Sequence, residues 1–240
     1  MATRKGFYLE FWLDGYKLTP LASEVIPSIE FETIEAGAYN NPVKQYLCGR
    51  GEGAIEFSGF FDSTLTGATH EALKTVGVDK MAGVAWGDNA SPTIGDIACG
   101  MPVHQSNYTV SADLNGLLAA KAALKSIGTP LEWGTLLANL TGVSADGNTT
   151  AVDQLAASSA GASAYLFVSG VSEADTGVVK IQHSTNNSTW TDLITFAATG
   201  AAIIAERAEV SGAVNRYVRV IYDVTGAAVS INFAVIFCRK

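Results

Sequence analysis

The residue types that most often carry chemistry are thinly spread along this chain. Its three histidines, His70, His104 and His183, and its three cysteines, Cys48, Cys99 and Cys238, never fall at spacings such as Cys-x2-Cys or His-Glu-x-x-His that would gather ligand atoms around one ion. No metal site is expected. The stretch GRGEGAIEFSG at 49–59 is rich in glycine but lacks the Lys-Ser/Thr of a phosphate loop and leads into alternation instead of a helix, so its glycines read as a turn or bulge. No serine sits in a Gly-x-Ser-x-Gly elbow, and His70 beside Glu71 reads as surface decoration. Glu30 and Glu32 would lie on one side of a strand, roughly 7 Å apart, a spacing compatible with glycoside hydrolysis. An acidic solvated sheet face is the simpler reading. Phe60, Phe61, Trp86, Trp133 and Trp190 could each stack on a sugar, but aromatic side chains in β proteins are more often buried, and core positions are expected. The chain therefore reads as a non-enzyme with no catalytic residues and no cofactor.

Composition bounds what could position such groups. The 240 residues are 48 % hydrophobic and 16 % charged, and no run of about 18 apolar residues occurs, so a soluble, globular chain of two domains without membrane insertion is expected. An odd number of scattered cysteines fits a reducing compartment. The opening MATRKGFYLEFWLDG is interrupted by Glu10 and Asp14 and reads as no export signal, so Asn-x-Ser/Thr triplets such as Asn187-Ser188-Thr189 read as chance. Net charge is −8, with 9 Lys/Arg against 16 Asp/Glu in residues 1–150 and 6 against 7 in 151–240. So acidic a first part argues against tight nucleic-acid binding, though not against contact with DNA that must slide past.

Period-two alternation marks strands at 7–13, 28–32 and 53–61, with Ile29 and Phe31 opposite Glu30 and Glu32, and Ile55 and Phe57 opposite Glu52 and Glu56. Each strand should thus have a core face and an acidic face. Residues 33–51 between them have no sustained period. A connection of that length is usually functional, and its apolar Tyr39, Val43, Tyr46 and Leu47 point to an arm that docks on something. A short helix is expected in STLTGATHEALKTVG, with Leu73 and Val76 at helical spacing and Gly77 as the stop. Asn115-Gly116 predicts a hairpin in QSNYTVSADLNGLLAAKAALKSIG, with Tyr108, Val110, Ala112 and Leu114 on one face, although its alanines also favour helix. A Gly/Ser/Thr/Ala-rich stretch reads as a linker at 146–163, separating a domain at 1–145 from one at 164–240. The latter holds six strand-like runs expected to form a small β-sandwich, with Val179, Ile181 and Leu193 pointing inward and Trp190 plugging its core.

At GEGAIEFSGFFD (51–62), with the alternating strands and long arm before it and THEAL after it, the chain resembles the major tail tube proteins of long-tailed bacteriophages. YTVSADLNGLLAAKAALKSIGTPLEWG looks like that family's closing hairpin, and VKIQHSTNNSTWTDL with NRYVRV resembles a C-terminal β domain of some phage tail proteins. The resemblance implies a mainly β fold, a sandwich or barrel with a short flanking helix, six copies per ring, and stacked rings through which the genome passes inside the virion. It implies self-association and contact with other tail proteins. In the family the corresponding loop meets neighbouring subunits, and here those positions are Tyr39, Asn40, Asn41, Pro42, Val43, Lys44, Tyr46, Leu47 and Arg50. Glu30, Glu32, Glu52 and Glu56 are candidates for a lumen wall that repels phosphate and lets DNA pass unbound. The extra C-terminal domain departs from many tube proteins; Asn186, Asn187 and Trp190 are its candidate exterior contacts. A carbohydrate-binding adhesin, and a capsid decoration or head–tail joining protein, are the competing readings.

Overall fold

The computed structural model describes residues 8–37, 43–64, 69–88, 90–112, 116–172, 176–197, 203–225 and 230–240. The fold is mainly β. In chain order the elements are β1 (Leu9–Leu13), β2 (Tyr16–Lys17), β3 (Ala22–Glu35), β4 (Tyr46–Phe60), α1 (Thr69–Leu73), β5 (Asp79–Trp86), β6 (Ile97–Ser111), β7 (Ala119–Ser126) and β8 (Glu132–Val143). Then come β9 (Gly147–Asn148), β10 (Val152–Asp153), β11 (Ala162–Ser172), β12 (Thr176–Ser184), β13 (Thr191–Thr195), β14 (Ile204–Val210), β15 (Tyr217–Thr225) and β16 (Ser230–Arg239).

Among the described residues every strand pairing is antiparallel, and the strands form two sheets. The larger runs β14-β11-β16-β8-β6-β5-β1-β2, with β7, β4 and β3 branching from it; the smaller contains β9, β10, β15, β12 and β13. The 15-residue β6 makes the branch possible. Its first part pairs with β5 and β8, and its second part leaves them to pair with β7. The large sheet therefore curls, and three cores lie side by side. One, with Phe11, Ile55, Phe57, Val84, Met101 and Leu124, is enclosed by β3-β4-β7 on one side and β1-β5-β6 on the other, with Leu73 of α1 at its margin. A second, with Trp12, Leu136, Tyr165, Phe167 and Ile236, fills the inside of the curl. In the third, Leu166, Val168, Val235 and Phe237 pack against Ile181, Ile194, Val218 and Val220 of the smaller sheet. The curl is tight where the β1–β2 turn meets the far strands. A Cβ on Gly15 would stand 2.6 Å from the Ile204 carbonyl oxygen, and its φ of +85° also requires glycine.

The alternating stretches and the C-terminal runs are strands, and the short helix forms with Leu73 buried and Val76 exposed. β6 and β7 pair antiparallel from Val103↔Ser126 to Ser111↔Ala119, as the hairpin expectation requires; residues 113–115, with Leu114 and Asn115, lie outside the described residues. Residues 146–163, read from composition as a linker, contain β9 and β10, which pair with β15, while β8 before that stretch pairs with β16 near the C-terminus. The sheet thus crosses the compositional boundary, since β8, β11 and β16 each bury both faces and need partners from both halves of the chain. Within 33–51, residues 33–35 and 46–51 extend the β3–β4 ladder, where no sustained period was expected, and 38–42 lie outside the described residues. Trp190 does not plug a core. It is half-buried, with the Arg219 guanidinium 4.2 Å from its ring centre, because it falls in the β12–β13 turn just before β13 begins. Val179 and Ile181 are buried; Leu193, expected inward, is half-buried at a bulge, and its neighbour Ile194, which pairs with Ile181, takes the core position.

Candidate functional site

The β3–β4 ladder outruns its own core. Paired residues share a face, so Val25/Phe57, Pro27/Ile55, Ile29/Gly53, Phe31/Gly51, Thr33/Cys48 and Glu35/Tyr46 all point the same way. At the base this is the core face. Ile55 and Phe57 are buried and Ile29 packs beside them, but Phe31 is 51 % exposed and Tyr46 58 %. The alternation of β3 thus continues to place apolar side chains on a core face after the covering strands have ended. Phe31 was expected in the core and lies on this uncovered margin; its ring rests on Gly51, where a Cβ would come within 2.7 Å. One extra residue on β4 between Cys48 and Gly51 makes a bulge in the glycine-rich stretch, as its composition predicts. On the opposite face Ile34 and Leu47 pair near the tip, both exposed. Lys44 Nζ meets Glu35 Oε2 at 3.0 Å, and the Ala36 amide donates to the Gln45 carbonyl at 2.8 Å. Of the candidate arm residues, Val43, Lys44, Tyr46, Leu47 and Arg50 are on this exposed ribbon; Tyr39, Asn40, Asn41 and Pro42 lie outside the described residues. A two-stranded ribbon exposed on both faces has little stability of its own.

The four candidate wall residues come together. Glu30, Glu32, Glu52 and Glu56, with Glu24, are exposed on the solvent face of the same ladder, and Glu30 pairs directly with Glu52. The alternation did not disclose the cations beside them. Lys121 and Lys125 of β7 pair with Ser58 and Ala54 and so share this face, and Lys125 Nζ meets Glu52 Oε1 at 2.6 Å. That hydrogen bond, with the charge behind it, holds the Lys125 ammonium above its ordinary pKa. The spacing of the two lysines, four apart in AAKAALKS, would have placed them on one strand face had the hairpin register been known. Among the described residues β3 pairs only with β4, so its other edge is free of strand partners, and Pro27 interrupts that edge's donors.

The candidate exterior residues are spent locally. Asn186 Oδ1 accepts from the Ser188 and Thr189 amides at 3.0 and 2.9 Å, Asn187 adopts φ 57°, and Trp190 lies under Arg219, whose guanidinium also donates to Gln182 Oε1 at 2.9 and 3.1 Å. They organise one turn on the smaller sheet. Trp133, expected in a core, is 48 % exposed and stacks on the half-buried Trp86, ring centres 5.6 Å apart at 26°. Phe60 is also exposed, because the cover of β4 ends there.

Groups that could do chemistry are separate. His70 meets the Tyr108 hydroxyl at 3.1 Å and His104 meets Asp79 at 2.9 Å, while the His183 Nδ1 accepts from the Asn215 amide at 3.2 Å. Burial pushes the Cys99 thiol up to about 12 and raises that of Cys238, so neither is a ready nucleophile. Among the described residues no group of three or more His, Cys, Asp or Glu side chains could hold a metal, and no helix is long and apolar enough to cross a membrane. One partly buried polar cluster ties strands together. Arg207 grips both Glu132 oxygens at 3.0 and 3.1 Å, and the Tyr165 hydroxyl donates to the same carboxylate. Burial, then the Glu132 hydrogen bond, raises the Tyr165 pKa. Sequence reasoning missed this cluster, whose members lie 33 and 75 residues from Glu132.

No protein-family model matches the chain, and no curated protein does. Among solved structures, it is similar to a chain of the native gene transfer agent virion at 19 % identity and TM-score 0.44, covering 55 % of this chain and 98 % of that one. A chain from the tail of the empty gene transfer agent particle, of C6 symmetry, matches at 16 % and 0.42 with the same coverage. The Dit protein of phage SPP1, described as a paradigm of the hub adsorption apparatus, matches at 11 % and 0.31, covering 91 % of this chain and 99 % of that one.

Proposed function

We propose that this chain is a structural, non-enzymatic subunit of a long-tailed bacteriophage virion, one that self-assembles into stacked, hexameric rings forming the tail tube. The observation that carries this reading is the β3–β4 ribbon, whose core-patterned face continues past the last strand able to cover it. Full burial of a side chain such as Phe31 is worth roughly 1.5–3 kcal/mol, which helps to order the ribbon when a neighbouring subunit supplies the cover. Supporting it are the motifs at 51–62 and 69–73.

In this reading the acidic face of β3 and β4 lines the conduit. Glu30, Glu32, Glu52 and Glu56 repel phosphate; Lys121 and Lys125 are outnumbered by them, and Lys125 is already paired with Glu52. Residues 164–240 lie on the tube exterior, and other tail proteins meet the ends of the stack. Negative-stain microscopy of the purified chain tests the proposal. Stacked rings or tubes are expected; a protein that stays monomeric at every concentration and salt would overturn it.

A further inference from the structure

The outward face of the smaller sheet carries side chains that neither the cores nor the assembly reading uses. In the register of β12 with β15, Val178 pairs with Asp223, Lys180 with Ile221 and Gln182 with Arg219; on the other side Gln182 pairs with Asp192 of β13. Val179, Ile181 and Val220, which alternate with them, are buried in the core between the sheets, so the pleat turns this set to the opposite side. There Val178, Lys180, Gln182, Asp192, Ile221 and Asp223 line a cleft of about 360 Å³. Small-molecule sites occupy roughly 300–1,000 Å³. The polar groups of the cleft are held before anything binds. Lys180 Nζ meets Asp192 Oδ2 at 2.9 Å, Gln182 Nε2 donates to Asp192 Oδ1 at 2.8 Å, and Arg219, lying over the Trp190 ring, donates twice to Gln182 Oε1. This row leaves hydrogen-bonding capacity unspent, since an ammonium carries three N–H donors and a carboxylate accepts about four bonds. The exposed Asp223 makes no hydrogen bond among the described residues. Val178 and Ile221 supply an apolar floor.

We infer that this cleft binds a neutral saccharide. A sugar hydroxyl both donates and accepts. Neighbouring hydroxyls of one ring can therefore take a hydrogen bond from the Lys180 ammonium and give one to the Asp192 or Asp223 carboxylate, while the C–H face of the ring rests on Val178 and Ile221. The charges of Lys180 and Arg219 balance those of Asp192 and Asp223, so a phosphate or another polyanion meets no net attraction. Side chains already fixed by one another lose little freedom when the ligand arrives, which favours binding through a few polar contacts. The site goes beyond the assembly reading and does not depend on it, because it lies on the face turned away from the large sheet and can be occupied whether or not rings form.

Saturation-transfer NMR of the full-length chain with methyl hexosides and methyl N-acetylhexosaminides tests the inference, with sialic acid and a sulfated hexose as charged controls. At least one neutral glycoside should receive magnetisation from the protein, and added salt should not diminish it, because the ligand carries no charge to screen. Asp192→Asn and Asp223→Asn should each bind that glycoside roughly tenfold more weakly, the scale expected when a hydrogen bond to a charged group is lost. Both substitutions keep the size of an exposed side chain, and cooperative thermal melts check that each variant folds. A wild-type chain that takes up none of the neutral glycosides overturns the inference, as does one that takes up only the charged controls. Folded variants that both bind as tightly as the wild type overturn it too. The assembly reading fails separately, by the absence of rings.

Discussion

Glu30 stands directly across the β3–β4 ladder from Glu52, with Lys125 2.6 Å from the second carboxylate and, among the described residues, no cation paired with the first. Like charges at opposed positions destabilise a ladder by roughly 0.2–1 kcal/mol, so this pair is a standing cost on the ribbon's base. Glu30→Gln should raise the unfolding free energy by about that amount, and added salt should shrink the gain. Chemical denaturation at low and high ionic strength checks both statements.

Under the tube reading the same face has a functional consequence. Reversing charge at Glu30 and Glu56 together should leave rings and stacks intact by electron microscopy, because both side chains are exposed and away from the Phe31 face. DNA release from particles built with this variant should slow, increasingly so at low salt. Assembly failure in place of slowed release would remove these residues from the lumen wall.

The Glu132–Arg207–Tyr165 cluster joins β8, β14 and β11, so it should matter to the whole fold and not to assembly. Its ionic pair is 12 % and 15 % exposed. Arg207→Met would leave the carboxylate facing the phenol without its counter-charge and should cost about 3 kcal/mol, measurable as a shift in the urea midpoint.

The curl depends on missing side chains. The Tyr165 ring lies against Gly100, and a Cβ on Gly83 would stand 2.5 Å from the Phe167 ring. Gly83→Ala should cost about 1–3 kcal/mol by overpacking, whereas Gly77→Ala, where a Cβ meets nothing, should register only the strain of φ +78°. Thermal melts of the two variants compare steric with backbone cost.

Two acid responses of opposite sign are expected. The Arg216 fork holds Asp153 below the usual carboxylate range, Gln182 and Lys180 do the same for Asp192, and Lys240 and Arg207 for Glu209. A carboxylate depressed in the folded state adds stability above its unfolded pKa of about 4 and loses it as pH falls through the folded value. Asp14 is raised by burial, partly offset by Lys80, so its protonation on folding recovers stability at a pH above about 4. Asp153→Asn should flatten the stability profile below about pH 4, and Asp14→Asn should flatten it above; pH-dependent denaturation curves resolve the two.

The sequence alone determined which residues share a strand face. Alternation placed Ile29 with Phe31, Ile55 with Phe57, and the four glutamates opposite them, because the pleat turns every second side chain the same way whatever lies around it. It also marked the short helix and the C-terminal strands. What it left open was whether anything covers a face. Phe31 and Ile55 carry the same pattern, yet one is half exposed and the other buried, and Trp133 and Trp190 read as core residues until the extent of the covering layers was known. Cover comes from strands distant in sequence: β16 on β8 across the apparent linker, β7 on β4, Arg207 on Glu132. Only the closure of the whole sheet decided those pairings, since each depends on loops of many residues meeting at once, and no local period records where a partner strand ends.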